Sequence, residues 1–203
     1  MKYPKMARAK LLGDRVMLEF EKKVLLSPQE YDIILKTKQQ SPVHVQINYY
    51  FDTDDFSMNK RGITCRIRER NGKFKTTIKN HNLKYLDCGL EEDIIEKTEF
   101  DPSPFKSRGL KYQGQLLTER RILLKDDYCA VVLDRNDYLG YTDYELEIEY
   151  SEGCEIIAQI ILEYTAKLLI DAGILGNVDE FLLRARKPKF KSQRFFERKI
   201  EGM

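Results

Sequence analysis

In the stretch YELEIEY, Tyr144 to Tyr150, glutamate takes every second position (Glu145, Glu147, Glu149), while Leu146, Ile148 and Tyr150 take the others. Successive side chains of a strand point to opposite faces, so this segment reads as a strand with one acidic and one apolar side. The pattern recurs with both signs. Around RVMLEFEKKV, Val16, Leu18 and Phe20 share one face and Glu19, Glu21 and Lys23 the other. Arg66, Arg68 and Arg70 line one face of their strand, and Lys75, Thr77 and Lys79 one face of the next. Like charges in a row repel, so each row costs stability unless an opposite charge or a ligand faces it. Any one row alone reads as a solvated strand face. Two acidic and two basic rows together are what a closed barrel brings face to face across its interior.

The rest of the chain fits a barrel of this kind. Ser27 and Pro28, with Glu30 at the capping-box position, open a helix running to about Lys38. Alternation returns at Val43–Phe51, and Asn71-Gly72 between two alternating runs is a strong hairpin signal. Further strands are expected within CGLEEDII, LLTERRILL, YCAVVLD and YELEIEY, with a turn at Asp126-Asp127 and a second main helix over about 155–172. The count is about eight strands and two main helices with mostly short connections. That predicts an α+β fold, mainly antiparallel β, as a barrel or a two-sheet sandwich in one domain over 1–203.

Composition narrows the function. Charged residues make up 33% of the 203 residues yet nearly cancel to a net +2, which argues against a nucleic-acid-binding role. The four cysteines are scattered without a close pair, as in a cytoplasmic chain with reduced thiols. The basic N-terminus has no apolar stretch behind it, and Ile156–Leu175 is interrupted by Gln159, Glu163, Lys167 and Asp171, so neither an export signal nor a membrane span is expected.

The order of motifs resembles the CYTH superfamily, the triphosphate tunnel metalloenzymes. Glu19-x-Glu21-x-Lys23 matches that family's ExExK signature. It is followed in order by NYYFDTDDFSMNKRG, CRIR, TTIK, LTERR, VVLDRNDYLGYTDYELEIE and FKSQRFF, over about Met17 to Phe196. The resemblance implies an eight-stranded closed β-barrel, the triphosphate tunnel, with charged side chains pointing in and helices flanking it. Residue by residue, it implies metal-binding carboxylates at Glu19, Glu21, Glu92, Asp134, Glu145 and Glu147. Phosphate contacts are implied at Lys23, Arg66, Arg68, Lys79, Arg120 and Lys191. The catalytic set is expected to comprise Glu19, Glu21, Lys23, Lys79, Glu145 and Glu147. Glu91 and Glu92 both meet the family's glutamate, with spacing favouring Glu92, and parity leaves Arg120 against Arg121 open. Glu149 reads as an exposed strand-end residue, Tyr49 and Tyr50 as packing residues, and His44 and His81 as structural or surface groups.

The chemistry of these residue types agrees. Arginine and lysine can compensate a multiply charged triphosphate. Mg²⁺ or Mn²⁺ binds through a few carboxylates plus substrate phosphates. No GxxxxGK[ST] loop is present, so side chains must hold the phosphates. A metal-dependent triphosphatase acting on a small triphosphate, without nucleic acid or membrane partners and as a monomer or homodimer, is the expectation, with inorganic triphosphate leading. Thiamine triphosphatase and adenylate cyclase activity on the same site are the alternatives. From another class comes a non-catalytic polyphosphate or nucleotide sensor, although pure anion binding has no use for buried carboxylates.

Overall fold

The computed structural model describes residues 16–38, 40–81, 88–186 and 188–203, with side chains described throughout these except for 16–19 and 88–95. Among the described residues there are eight strands: β1 (Val16–Leu26), β2 (Val43–Asp52), β3 (Ile63–Arg70), β4 (Lys73–Asn80), β5 (Cys88–Lys97), β6 (Lys111–Lys125), β7 (Cys129–Tyr138) and β8 (Tyr141–Tyr150). The helices are α1 (Pro28–Lys36), α2 (Ser57–Lys60), α3 (Ser103–Lys106), α4 (Glu155–Asp171), α5 (Val178–Ala185) and α6 (Lys191–Glu201). The two main helices expected from the sequence are α1 and α4. The remaining four, α6 above all, are additions to that reading.

All strand pairs are antiparallel, in the order β1-β5-β4-β3-β2-β6-β7-β8. β1 pairs with its neighbour in this order and also with the last strand: Val16–Phe20 with β5 and Phe20–Leu26 with β8, the two ladders sharing Phe20. Local sequence sets the turns. Asn71 and Gly72 both adopt positive φ (52° and 71°), the two-residue turn that matches strand twist, and Arg70 pairs with Lys73 across it. Asp52 ends β2 buried, and its carboxylate accepts the backbone N–H groups of Thr53, Met58 and Asn59, so it caps the α2 turn.

The apolar faces of the strands point outward, under helices. Val24, Leu26, Leu133, Leu146 and Ile148 pack against Ala158, Leu162, Ala166 and Leu169 of α4 and Phe181 of α5. A second cluster joins Phe51, Cys65 and Ile67 to Phe105 of α3. A third, Tyr50, Phe56, Leu116, Tyr138, Phe195 and Phe196, brings α6 onto strands β2, β6 and β7. Among the described residues no helix is long and apolar enough to cross a membrane.

One buried ion pair ties α1 to α5. The expected capping box is present: Glu30 N–H donates to Ser27 Oγ at 3.2 Å, and Ser27 N–H to Glu30 Oε2 at 2.7 Å. Arg184 adds a fork onto the same carboxylate, at 3.0 and 2.6 Å. Burial alone would raise the Glu30 pKa, but hydrogen bonds from Arg184 and Ser27 hold it below the usual carboxylate range. Its folded pKa is therefore lower than its unfolded one, so the stability it contributes is complete above the unfolded value of about 4.3 and is lost as pH falls through the folded one. Glu30→Gln is expected to cost about 1–3 kcal/mol at neutral pH, with the gap to wild type closing in acid. Urea unfolding of both proteins at pH 7, 5 and 3.5 checks this, and a gap independent of pH would contradict it.

Candidate active site

Alternation places the charged rows on a single inner face. A cavity there is lined by Glu21 and Lys23 of β1, Arg66 and Arg68 of β3, Lys79 of β4, Arg120 of β6 and Glu147 and Glu149 of β8, with Lys191 entering from α6. The strand register sets opposite or like charges side by side: Lys23 faces Glu147, Arg120 faces Asp134, and Asp134 faces Glu145. Such charges are tolerated away from water only when compensated.

Compensation takes the form of two linked groups. In the first, Glu21 Oε1 accepts from both Lys23 Nζ (3.0 Å) and Lys79 Nζ (3.2 Å), and Lys23 reaches toward Glu147 at 4.0 Å. The second is built on Asp134, Glu145 and Glu147. The first two of these side chains are 0% exposed. Arg120 forks onto Asp134 at 2.9 and 2.7 Å and donates to Glu147 Oε2 at 2.8 Å. Lys191 Nζ lies within hydrogen-bonding distance of all three carboxylates. Burial would push the Asp134 and Glu147 pKa values up, but Lys191 and Arg120 on both, with Lys23 also on Glu147, hold them below the ordinary range. Arg66 and Arg68 are oriented by neutral neighbours on adjacent strands, through Thr77 Oγ1 at 3.1 Å and Asn48 Oδ1 at 2.9 Å.

Of the residues expected from the sequence, Glu21, Lys23, Arg66, Arg68, Lys79, Arg120, Asp134, Glu145, Glu147 and Lys191 thus gather on one face. The parity question at β6 is resolved: Arg120 enters the carboxylate cluster, whereas Arg121 donates to the Ser41 carbonyl at 2.6 Å. Glu19 and Glu92 have side chains outside the described set. The backbone pairs Glu92 with Val16 and Ile78, and pairs Glu91 with Met17 and Lys79. Glu149 departs from its reading as an exposed strand end. It lines the cavity and lies 3.5 Å from Arg120, because the acidic alternation of β8 continues unbroken to it. Tyr50 packs on Phe195 and Phe196 as expected for a packing residue. His81 also lines the cavity, stacked on Phe190 at 3.8 Å, with Nε2 3.0 Å from Thr64 Oγ1.

The sequence reading missed Arg194. Its guanidinium pairs with Asp143 at 2.8 Å and lies 2.8 Å from Glu145 Oε2, so it fixes a cluster carboxylate from the side away from Lys191. The run FKSQRFF carried the signal, since a basic residue beside two buried aromatics on a short helix must find an acidic partner.

The donor set suits a hard divalent ion. Asp134, Glu145 and Glu147 each offer a carboxylate oxygen, and these lie within 4.8 Å of one another. Oxygen-only donors of this kind match a hard divalent cation and not a thiolate-seeking metal.

A family model for the CYTH domain matches residues 17–173. Over 208 residues, covering 92% of this chain and 98% of the relative, the chain is 28% identical to "Putative triphosphatase YjbK" of Bacillus subtilis (strain 168). Among solved structures it is similar to a "putative adenylate cyclase" from Bacillus halodurans, with a TM-score of 0.64 and 24% identity over 89% of this chain and 98% of that one. It is also similar to HpAC1 from Hippeastrum, whose structure report describes a dominant triphosphatase activity, with a TM-score of 0.57 and 17% identity over 89% and 95% of the two chains.

The seating of Lys191 depends on how α6 packs on the sheet. Gly114 of β6, at φ +138°, lies against Phe195 of that helix. A Cβ there would lie 2.7 Å from Cζ of the fully buried Phe195. Gly114→Ala is expected to destabilise the protein by about 1–3 kcal/mol, as overpacking of a core does. Adding Phe195→Leu should return part of that loss. Chemical denaturation of the two single variants and the double variant tests the coupling. Strictly additive losses would show that the ring and the glycine do not meet.

Proposed function

The chain belongs to the CYTH domain family, and from that premise we propose that its inner face is the active site of a divalent-metal-dependent triphosphatase whose leading substrate is inorganic triphosphate. The observation that carries this reading is the placing of Asp134, Glu145 and Glu147 against Arg120 and Lys191, in a cavity whose other walls supply Arg66, Arg68 and Lys79. An anion receptor alone would be weakened by three buried carboxylates, whereas a site for a metal complexed to a polyphosphate uses both signs. The return of the strand order to β1 supports reading the sheet as a closed tunnel around this site.

In this reading Asp134, Glu145 and Glu147 would hold Mg²⁺ or Mn²⁺, joined by Glu21 and, on the strength of the family motif, by Glu19 and Glu92. Such an ion would neutralise charge on the phosphoryl oxygens and make water a better nucleophile. Arg66, Arg68, Lys79 and Arg120 hold the phosphate chain extended along the cavity and offset the charge that accumulates on its oxygens as the terminal group is transferred to water. Lys23, between Glu21 and Glu147, keeps the two acidic groups from repelling each other. The buried surroundings strengthen each of these contacts relative to water.

Turnover of inorganic triphosphate, thiamine triphosphate and ATP, each with Mg²⁺, Mn²⁺ or excess chelator, tests the proposal. Hydrolysis of inorganic triphosphate should lead, should stop in chelator and should return with either ion. Full turnover in chelator would end the metal-dependent reading. Glu147→Gln should lower kcat by about 100-fold or more, since even groups that merely support a metal's ligands cost 10–100-fold. Arg66→Ala should raise KM and lower kcat together, as a group holding phosphate charge in both ground and transition states does. Wild-type kinetics in both variants would make the rows simple structural ion pairs.

A further inference from the structure

Lys191 Nζ lies 2.5 Å from Glu145 Oε1, 2.9 Å from Asp134 Oδ2 and 3.1 Å from Glu147 Oε2. These are the three residues whose carboxylates converge within 4.8 Å. A divalent ion bound by them must lie about 2.0–2.6 Å from each oxygen, which is the ground the ammonium covers. Ion and ammonium therefore exclude each other.

Formal charge points the same way. Asp134, Glu145, Glu147 and Asp143 against Arg120, Lys191 and Arg194 leave one negative charge, and exchanging the Lys191 ammonium for a divalent ion leaves zero. Of the three cations, only Lys191 is built to leave, since Arg194 is held by Asp143 as well. Arg120 is a planar fork fixed at two points on Asp134, whereas a lysine ammonium is a point charge on a flexible stem. It also borders the same cavity as Arg66, Arg68 and Lys79, where a phosphate chain can receive it.

We infer that Lys191 is an exchangeable counter-ion of the carboxylate cluster: it holds the site against metal alone and yields it when a triphosphate takes the ammonium, so that metal and triphosphate bind cooperatively. The triphosphate half of this inference rests on the proposed function, and the metal half does not.

Binding of Mn²⁺ to the full chain, followed by the electron paramagnetic resonance signal of the free ion, tests it. The measurement is made on wild type and Lys191→Met, with and without a non-hydrolysable imido-bridged triphosphate. In wild type the analogue should tighten Mn²⁺ at least about ten-fold, within the range of ordinary coupling between sites. Lys191→Met should tighten Mn²⁺ alone by a similar factor and lose most of the further gain from the analogue. Equal Mn²⁺ affinity in the two proteins would overturn the inference, even with wild-type turnover intact. No analogue effect and no turnover, with Lys191→Met still tightening Mn²⁺, would instead remove the triphosphate and retain the counter-ion. Should Lys191→Met fail to fold, acetylation of Lys191 in wild type, read by mass spectrometry, decides the matter. Saturating Mn²⁺ should speed it several-fold, and an unchanged rate would refute the exchange.

Discussion

The structure depends on compensating a group of buried carboxylates. Asp134, Glu145 and Glu147 stand on adjacent strands, close enough to repel, and a core holding them alone would drive protons onto them or open. Arg120 and Lys23 supply countercharge from within the sheet. Lys191 and Arg194 arrive from a helix at the far end of the chain. The fold of the site is therefore incomplete without α6, which is tied to the strands through its side chains, such as Ser192 to Thr64 and Arg194 to Asp143.

This requirement explains why the apolar core lies where it does. A sheet that devotes its inner face to charge must bury its outer face, and α1, α4 and α5 cover one side of it while α3 covers another. The aromatic cluster of Tyr50, Phe56, Leu116, Tyr138, Phe195 and Phe196 is a separate device. It anchors α6 by packing, so that the direction of Lys191 and Arg194 is set by ring contacts and not by the ion pairs alone. Apolar burial thereby positions groups that electrostatics could not order unaided.

Much of this could be read from the chain because a strand has an exact period. Glu145 and Glu147, Arg66 and Arg68, and Lys79 needed only alternation to be assigned to a face. The Asn71-Gly72 turn and the Ser27–Glu30 cap are local in the same sense. What the sequence concealed depends on relations between elements. Arg120 and Arg121 are neighbours, so choosing between them required the register of β6 against β7. At β5, too, neighbours are set by the ladder and not by a count along the strand: it shifts register between Thr76 and Thr77, and pairs Glu91 with Lys79 and Glu92 with Ile78. Arg194 was hidden because the inward side of a short helix is decided by the surface it docks on. No Ser, Thr, Asp or Asn precedes α6 to announce it; Phe190 stands there, its N–H accepted by Gln193.

The divided partnership of β1 sorts the charged rows into walls. Its first half is stitched to β5 and its second half to β8, with Phe20 common to both. Glu21 and Lys23 stand just past that crossover, on the half held by β8. The strand passes from one neighbour to the other at a single shared residue. Glu21 and Lys23 therefore belong with the carboxylates of β8, as one wall, while the arginines of β3 and Lys79 of β4, on strands paired with each other, form another.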